Sequence, residues 1–214
     1  MQPLKERALF FKEALKDIDT VGSVLPSSRS TAKAMTAAFR KRSEPARILE
    51  VGAGTGPITA RIVKEMRPGD RLDIYEVNPD YTDFLALRFE TEDDFQQVKE
   101  QCHIYTAGVE TIERVPTYDY IISAIPFTAF EADRVEDFFQ TYRDLLKPDG
   151  VLTYIEFAFG RHILRAFTKP GDPKRQRLEA VGEVVTNYID QYQVKHKFVL
   201  LNAPPARIRS LQFE

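Results

Sequence analysis

The chain offers almost no sulfur chemistry. A single cysteine, Cys102, among 214 residues rules out any internal disulfide and fits a reducing compartment; its apolar surroundings make it a core residue. No apolar run approaches the roughly 20 residues that cross a bilayer. Met1-Gln2-Pro3-Leu4-Lys5-Glu6-Arg7 has no long apolar stretch behind it and so does not resemble a secretory signal. These absences lead us to expect a cytoplasmic protein, soluble or peripheral on the inner membrane face. No Cys and His pair has metal-ligand spacing, so no metal is expected, and His103 and His196, both in strand-like runs, read as structural. With no low-complexity tract and 43% hydrophobic residues, the chain is long enough for one full core plus a small appendage.

Net charge is also scarce, at -2, but it is unevenly spread. Residues 1-42 hold nine Lys/Arg against four Asp/Glu, residues 43-160 eleven against twenty-three, and residues 161-214 ten against five. Both ends are therefore basic and the middle is acidic. Either the ends meet something anionic or they are simply solvated faces.

What the chain does have is alternation. Apolar positions Leu4, Ala8, Phe11, Leu15 and Ile18 recur at helical steps, and a second helix is predicted over Thr31 to Lys41. We read 1-42 as an N-terminal helical extension. The bend Ser43-Glu44-Pro45 separates it from 43-214, where strands (Arg47-Val51, Arg71-Glu76, His103-Thr106, Tyr118-Ser123, Val151-Phe157) alternate with helices (Ile58-Met66, Tyr81-Phe89, Val135-Leu146). That order predicts an α/β fold with a mostly parallel sheet and helices on both faces. A helix over Arg175-Tyr188 and two strand-like runs, Val194-Leu201 and Ala206-Phe213, close the chain as an antiparallel hairpin.

The strongest local signal is Ile48-Leu49-Glu50-Val51-Gly52-Ala53-Gly54-Thr55-Gly56. An apolar strand that stops at alternating glycines hands over to a tight turn whose missing Cβ atoms let backbone approach a ligand. The third glycine comes one residue earlier than in G-x-G-x-x-G dinucleotide sites, and Glu50 precedes the turn, where a carboxylate repels pyrophosphate and suits a cationic ligand. Glu76 ends the next strand, the position from which Rossmann-type folds hold ribose hydroxyls. Three further segments end at the same edge of such a sheet: Ala107-Gly108-Val109-Glu110, Ser123-Ala124-Ile125-Pro126-Phe127, and a basic stretch from Arg161 and His162 to Arg177. The last is either a phosphate clamp or an exposed helix end.

The glycine turn and Glu76 resemble the cofactor motifs of class I S-adenosylmethionine methyltransferases. With Gly22-Ser23-Val24-Leu25-Pro26-Ser27-Ser28, Ile121-Ile122-Ser123-Ala124-Ile125-Pro126-Phe127 and Asn202-Ala203-Pro204-Pro205-Ala206, the chain is similar to the bacterial phospholipid N-methyltransferases over nearly its full length. That resemblance implies a Rossmann-like class I methyltransferase sheet, S-adenosyl-L-methionine as cofactor, and a phosphatidylethanolamine-type lipid as acceptor. It implies cofactor contacts at Ser27, Ser28, Glu50, Gly52, Ala53, Gly54, Thr55, Gly56, Glu76, Val77, Gly108, Val109 and Ser123, and acceptor-side roles for Ser123, Pro126 and Phe127. It also gives the N-terminal helix an anionic or zwitterionic membrane surface to lie on, the other reading being that its greasy stripe packs on the sheet. No obligate protein partner is implied. Ala124 departs from relatives that place an amide or carboxylate there to hold a base amine, which makes nucleic acid the less favoured acceptor. For removing the amine proton the sequence offers only Ser123, Tyr118 or a loop carbonyl acting through water.

Overall fold

The computed structural model describes residues 28-157, 172-200 and 205-213. The expected N-terminal amphipathic helix, Ser27, Arg161, His162 and the Asn202-Pro204 turn lie outside those residues.

A seven-stranded sheet runs in the order β3-β2-β1-β4-β5-β7-β6. The strands are β1 (Arg47–Val51), β2 (Arg71–Glu76), β3 (Cys102–Thr106), β4 (Tyr118–Ser123), β5 (Leu146–Phe157), β6 (Gln193–Val199) and β7 (Ala206–Gln212). The first five pair in parallel; β7 joins β5 and β6 antiparallel, as the terminal hairpin predicted. Strand order reverses between β1 and β4, so the crevice beyond their carboxyl ends is the topological site for a ligand.

Side-chain alternation sorts the sheet into two packed faces. Ile48, Leu72, Ile74 and Ile122 pack with Met35 of α1 (Arg29–Met35), Ile62 of α2 (Thr59–Val63) and Leu85 and Phe89 of α3 (Pro79–Thr91). Leu49, Ile121, Leu152, Tyr154 and Leu211 pack on the opposite face with Phe138, Phe139 and Tyr142 of α5 (Ala132–Leu145) and Val181 and Val185 of α6 (Pro173–Tyr192). Each such fully buried large side chain contributes about 1.5 to 3 kcal/mol. A short helix α4 (Asp93–Gln96) caps the first layer with Phe95, edge-on to Phe89 at 4.9 Å.

Element boundaries differ from the sequence expectation for identifiable reasons. Helices α3 and α6 start two residues earlier than expected because Asn78 and Asp172 cap them, accepting from the backbone N–H of Asp80 and Lys174, with proline in the first turn. The helix expected over Thr31-Lys41 stops at Met35, and a separate 3-10 turn covers Phe39–Lys41. There Arg42 donates to the Phe39 carbonyl and to the buried carboxylate of Asp70, which also accepts from the Ala46 and Arg67 backbone amides at 2.8 and 2.6 Å. This buried knot turns the chain into β1 and makes the 43-45 bend a fixed corner. Cys102 is only half-buried, on the edge strand β3, with its Sγ 3.8 Å from Met66 Sδ; burial pushes the thiol up to about 12. His103 and His196 are exposed on the two edge strands.

Candidate cofactor and methyl-transfer site

The glycine turn leaves β1 with φ of 75° at Gly52, 55° at Gly54 and 80° at Gly56, a left-handed region that only glycine enters without cost. The three positions face different things. A Cβ on Gly52 would stand 3.3 Å from Ile125 Cγ1, in the loop after β4. One on Gly56 would collide with Leu85 Cδ2 at 2.5 Å, so this glycine lets α3 pack close. Gly54 alone has nothing within 4 Å and opens toward the crevice.

Glu76 ties the two strand tips together. Its carboxylate accepts from the Gly54 amide at 2.8 Å and from the Asn78 amide at 3.0 Å. The tips are further sewn by Gly52 N–H to the Tyr75 carbonyl (2.8 Å), Ala107 N–H to the Glu76 carbonyl (3.1 Å) and Ala124 N–H to the Val51 carbonyl (2.8 Å). Val77, 69% exposed, projects from the β2 tip, and Gly108 follows the tip of the paired strand β3, where the Glu110 carboxylate folds over Gly108 and pairs with Arg134 at 3.0 Å.

Glu50 sits one layer beneath. It is wholly buried, and its carboxyl is pushed up to about 8, chiefly by burial and next by the charge of Glu76, with Thr59 and Arg88 pulling the other way. Among the described residues neither carboxyl oxygen has a partner at hydrogen-bond geometry, so Thr59 is near but not bonded. Orphaned carboxyl oxygens on Glu50 under the turn, on an acid that at about 8 is mostly protonated at neutral pH, and an open cradle at Gly54 beside the Glu76 carboxylate together fit a polar ligand that presents hydroxyls.

Several expected site residues face elsewhere. Ser123 is completely buried, its hydroxyl 2.9 Å from that of Tyr142 in the α5 layer, so its side chain does not reach the crevice. Tyr118 begins β4, at the far end of the strand, and donates to Asp73 at 2.9 Å; burial and that carboxylate push its phenol well up, which removes it as a base. Phe127 is buried with Phe139 and Tyr154 at ring distances of 5.0 and 5.3 Å, so it props the loop from below and does not wall the acceptor. Val109 and Ala53 are likewise core side chains, leaving only their backbone for the rim. Pro126, Ala124 and Ile125 stay half-buried at the crevice edge. Ser28 caps α1, accepting from the Thr31 amide at 3.2 Å.

Sequence reasoning missed Arg88. From α3 it donates to the carbonyls of Thr55 and Gly56 at 3.0 and 2.9 Å, is held by both carboxylate oxygens of Glu92 at 2.6 and 2.9 Å, and lies 4.3 Å over the Phe95 ring. It clamps the turn from outside. The Arg88–Glu92 spacing of four on a helix was its only trace in the sequence. Among the described residues no group of three or more His, Cys, Asp or Glu could hold a metal, and no helix is long and apolar enough to cross a membrane.

The comparisons with known proteins agree with this geometry. Residues 49–152 match a methyltransferase domain family. The chain is 28% identical over 153 residues, 71% of its length, to the ornithine lipid N-methyltransferase of Singulisphaera acidiphila, of which it spans 78%. Among solved structures it is similar to the O-methyltransferase TomG from Streptomyces achromogenes in complex with S-adenosylmethionine (TM-score 0.69, 16% identity, all of this chain and 91% of that one). It is similar too to the O-methyltransferase from Bacillus cereus in complex with S-adenosylhomocysteine (TM-score 0.67, 14% identity, 95% of this chain and 90% of that one). Strand order, the glycine turn and the match of residues 49–152 to a methyltransferase domain identify the domain as that of an S-adenosylmethionine-dependent methyltransferase, and in sequence the chain is similar to a bacterial lipid N-methyltransferase.

Proposed function

We propose that the protein methylates the amine of a lipid head group, of the phosphatidylethanolamine type, using S-adenosylmethionine. The observation that carries the acceptor is the similarity to an ornithine lipid N-methyltransferase over most of both chains. When bound, S-adenosylmethionine supplies a methyl group already activated on a positive sulfonium.

This chain's own residues then bind and align. The spare lone pairs of Glu76 accept ribose hydroxyls while its other contacts fix the Gly54 and Asn78 amides. The backbone of Gly52-Ala53-Gly54-Thr55-Gly56 cradles the methionine portion, and Val77 with the Gly108-Val109 backbone edges the base. The loop Ala124-Ile125-Pro126 flanks the turn and presents carbonyls that accept from the amine N–H groups, aiming the nitrogen lone pair at the methyl carbon. The nitrogen that the loop carbonyls align would take the methyl from S-adenosylmethionine held in the glycine cradle, the departing sulfur taking the electron pair of the broken bond. The ammonium must first lose a proton. With Ser123 and Tyr118 buried and paired, that proton passes to water held by the loop carbonyls.

Labelled methyl transfer tests the reading. Wild-type enzyme should label vesicles containing phosphatidylethanolamine or an ornithine lipid in preference to total RNA. Label entering RNA and no lipid would replace the acceptor and leave the cofactor site intact.

A further inference from the structure

Strand β6 is an unusual edge. Its lysines Lys195 and Lys197, with Arg29 and Lys33 of α1, make no ion pair among the described residues, and α1 lies against β6, β7 and β5. Residues 28-43 and 193-200 contain no Asp or Glu at all. Lysines alone are a common guard on an edge strand. Here they alternate with large apolar side chains that face solvent, Val194 at 59% and Leu200 at 72% exposed, and guarding an edge does not call for those.

The ladder gives the strip its height relative to the site. Val51, Ser123, Tyr154, Arg209 and His196 lie in one row across the sheet, so His196 is level with the residue that enters the glycine turn. β6 runs parallel to β5, and four more residues carry the chain from His196 to Leu200. At about 3.3 Å per residue, Leu200 stands about 13 Å beyond that row, on the same end of the sheet as the crevice. Cations and exposed apolar side chains, with no acid in residues 28-43 or 193-200, stand along the far edge of the sheet, three strands from β4 and reaching its crevice end, and complement a surface that is negative outside and apolar just beneath.

We infer that the β6 edge with α1 is a docking face for an anionic lipid bilayer, with Leu200 entering the interface and Lys195 and Lys197 meeting lipid phosphates. This rests on the lipid-acceptor reading and adds the surface that delivers the acceptor. It is independent of the residues that bind the cofactor.

The chain has no tryptophan, so a single indole is a clean reporter. In the full chain, Leu200→Trp should show a blue shift in emission with phosphatidylglycerol/phosphatidylcholine vesicles and none with phosphatidylcholine alone. Val115→Trp, exposed elsewhere, should stay unshifted with both. Lys195→Gln/Lys197→Gln should weaken binding to the anionic vesicles roughly 25-fold, about five-fold per lysine, with melting temperature and S-adenosylhomocysteine affinity unchanged to show an intact fold. Equal shifts at both tryptophans, no shift at Leu200→Trp, or a lysine variant that loses RNA binding but keeps vesicle binding would each overturn the inference. If the shift occurs but no lipid is methylated, the face stands and the acceptor reading falls; lipid methylation without the shift does the reverse.

Discussion

Replacing Arg88 by alanine removes two charge-assisted hydrogen bonds to the carbonyls of Thr55 and Gly56. Hydrogen bonds to a charged donor are worth roughly 1.5 to 3 kcal/mol each, which puts at least about 3 kcal/mol on the turn. The Glu92 pair adds little, because Glu92 is nearly half exposed and such pairs give about 0 to 1 kcal/mol. The contact over Phe95 adds about 0.5 to 1 kcal/mol more. If half of the lost 3 kcal/mol reappears as the work of re-forming the turn around the cofactor, affinity for S-adenosylhomocysteine falls about ten-fold. Titration calorimetry of Arg88→Ala and Arg88→Lys reads this directly. Lysine reaches one carbonyl at best and should fall between wild type and alanine, with KM for S-adenosylmethionine rising more than kcat falls. A melting temperature that drops while cofactor affinity holds would refute the clamp and leave Arg88 a plain structural residue.

Three further outcomes follow from the same geometry. Gly54→Ala should cost only about 1 to 2 kcal/mol of left-handed strain, yet abolish cofactor binding, whereas Gly56→Ala should lose several degrees of melting temperature through its collision with Leu85. Differential scanning fluorimetry with and without S-adenosylhomocysteine separates the two. Glu50, raised from 4.5 to about 8, binds its proton more tightly folded than unfolded. Stability is therefore full below pH 4.5 as far as this group is concerned and declines as pH rises toward 8, by roughly 5 kcal/mol in all. Glu50→Gln should flatten that slope between pH 5 and pH 8.5 in urea melts, and an unchanged slope would show that Glu50 is not the group responsible. Ser123→Ala should cost about 1 kcal/mol through its lost bond to Tyr142 and leave kcat unchanged; a large fall in kcat would restore a catalytic role.

Gly52, Gly54, Gly56 and Glu76 were legible in the sequence because the signal is local. Positive φ demands glycine, and an acid at the end of the neighbouring apolar run has one place to go in a parallel sheet. The sheet itself was legible from alternation, and the helix starts at Pro79 and Pro173 could have been, since Asn78 and Asp172 are caps in plain view. Ser123 was not, because a two-residue period says that neighbours face opposite sides and leaves open which side is the crevice and which is Tyr142. Phe127 was misread for a related reason: its ring partners come from α5 and β5, distant in the chain. Arg88 was invisible because it bonds to main-chain carbonyls more than thirty residues away, and carbonyls carry no sequence signature.

The carboxylate of Glu76 bridges two amides that belong to different strand exits. Its reach therefore matters as much as its charge. An aspartate there would keep the negative pole but be one methylene too short to satisfy both Gly54 and Asn78, so the carboxylate would swing on one hinge where now it has two. The molecule thus holds this carboxylate fixed before any ligand arrives, and under the proposed function selectivity for a ribose over a deoxyribose would be set by a side chain that never has to move.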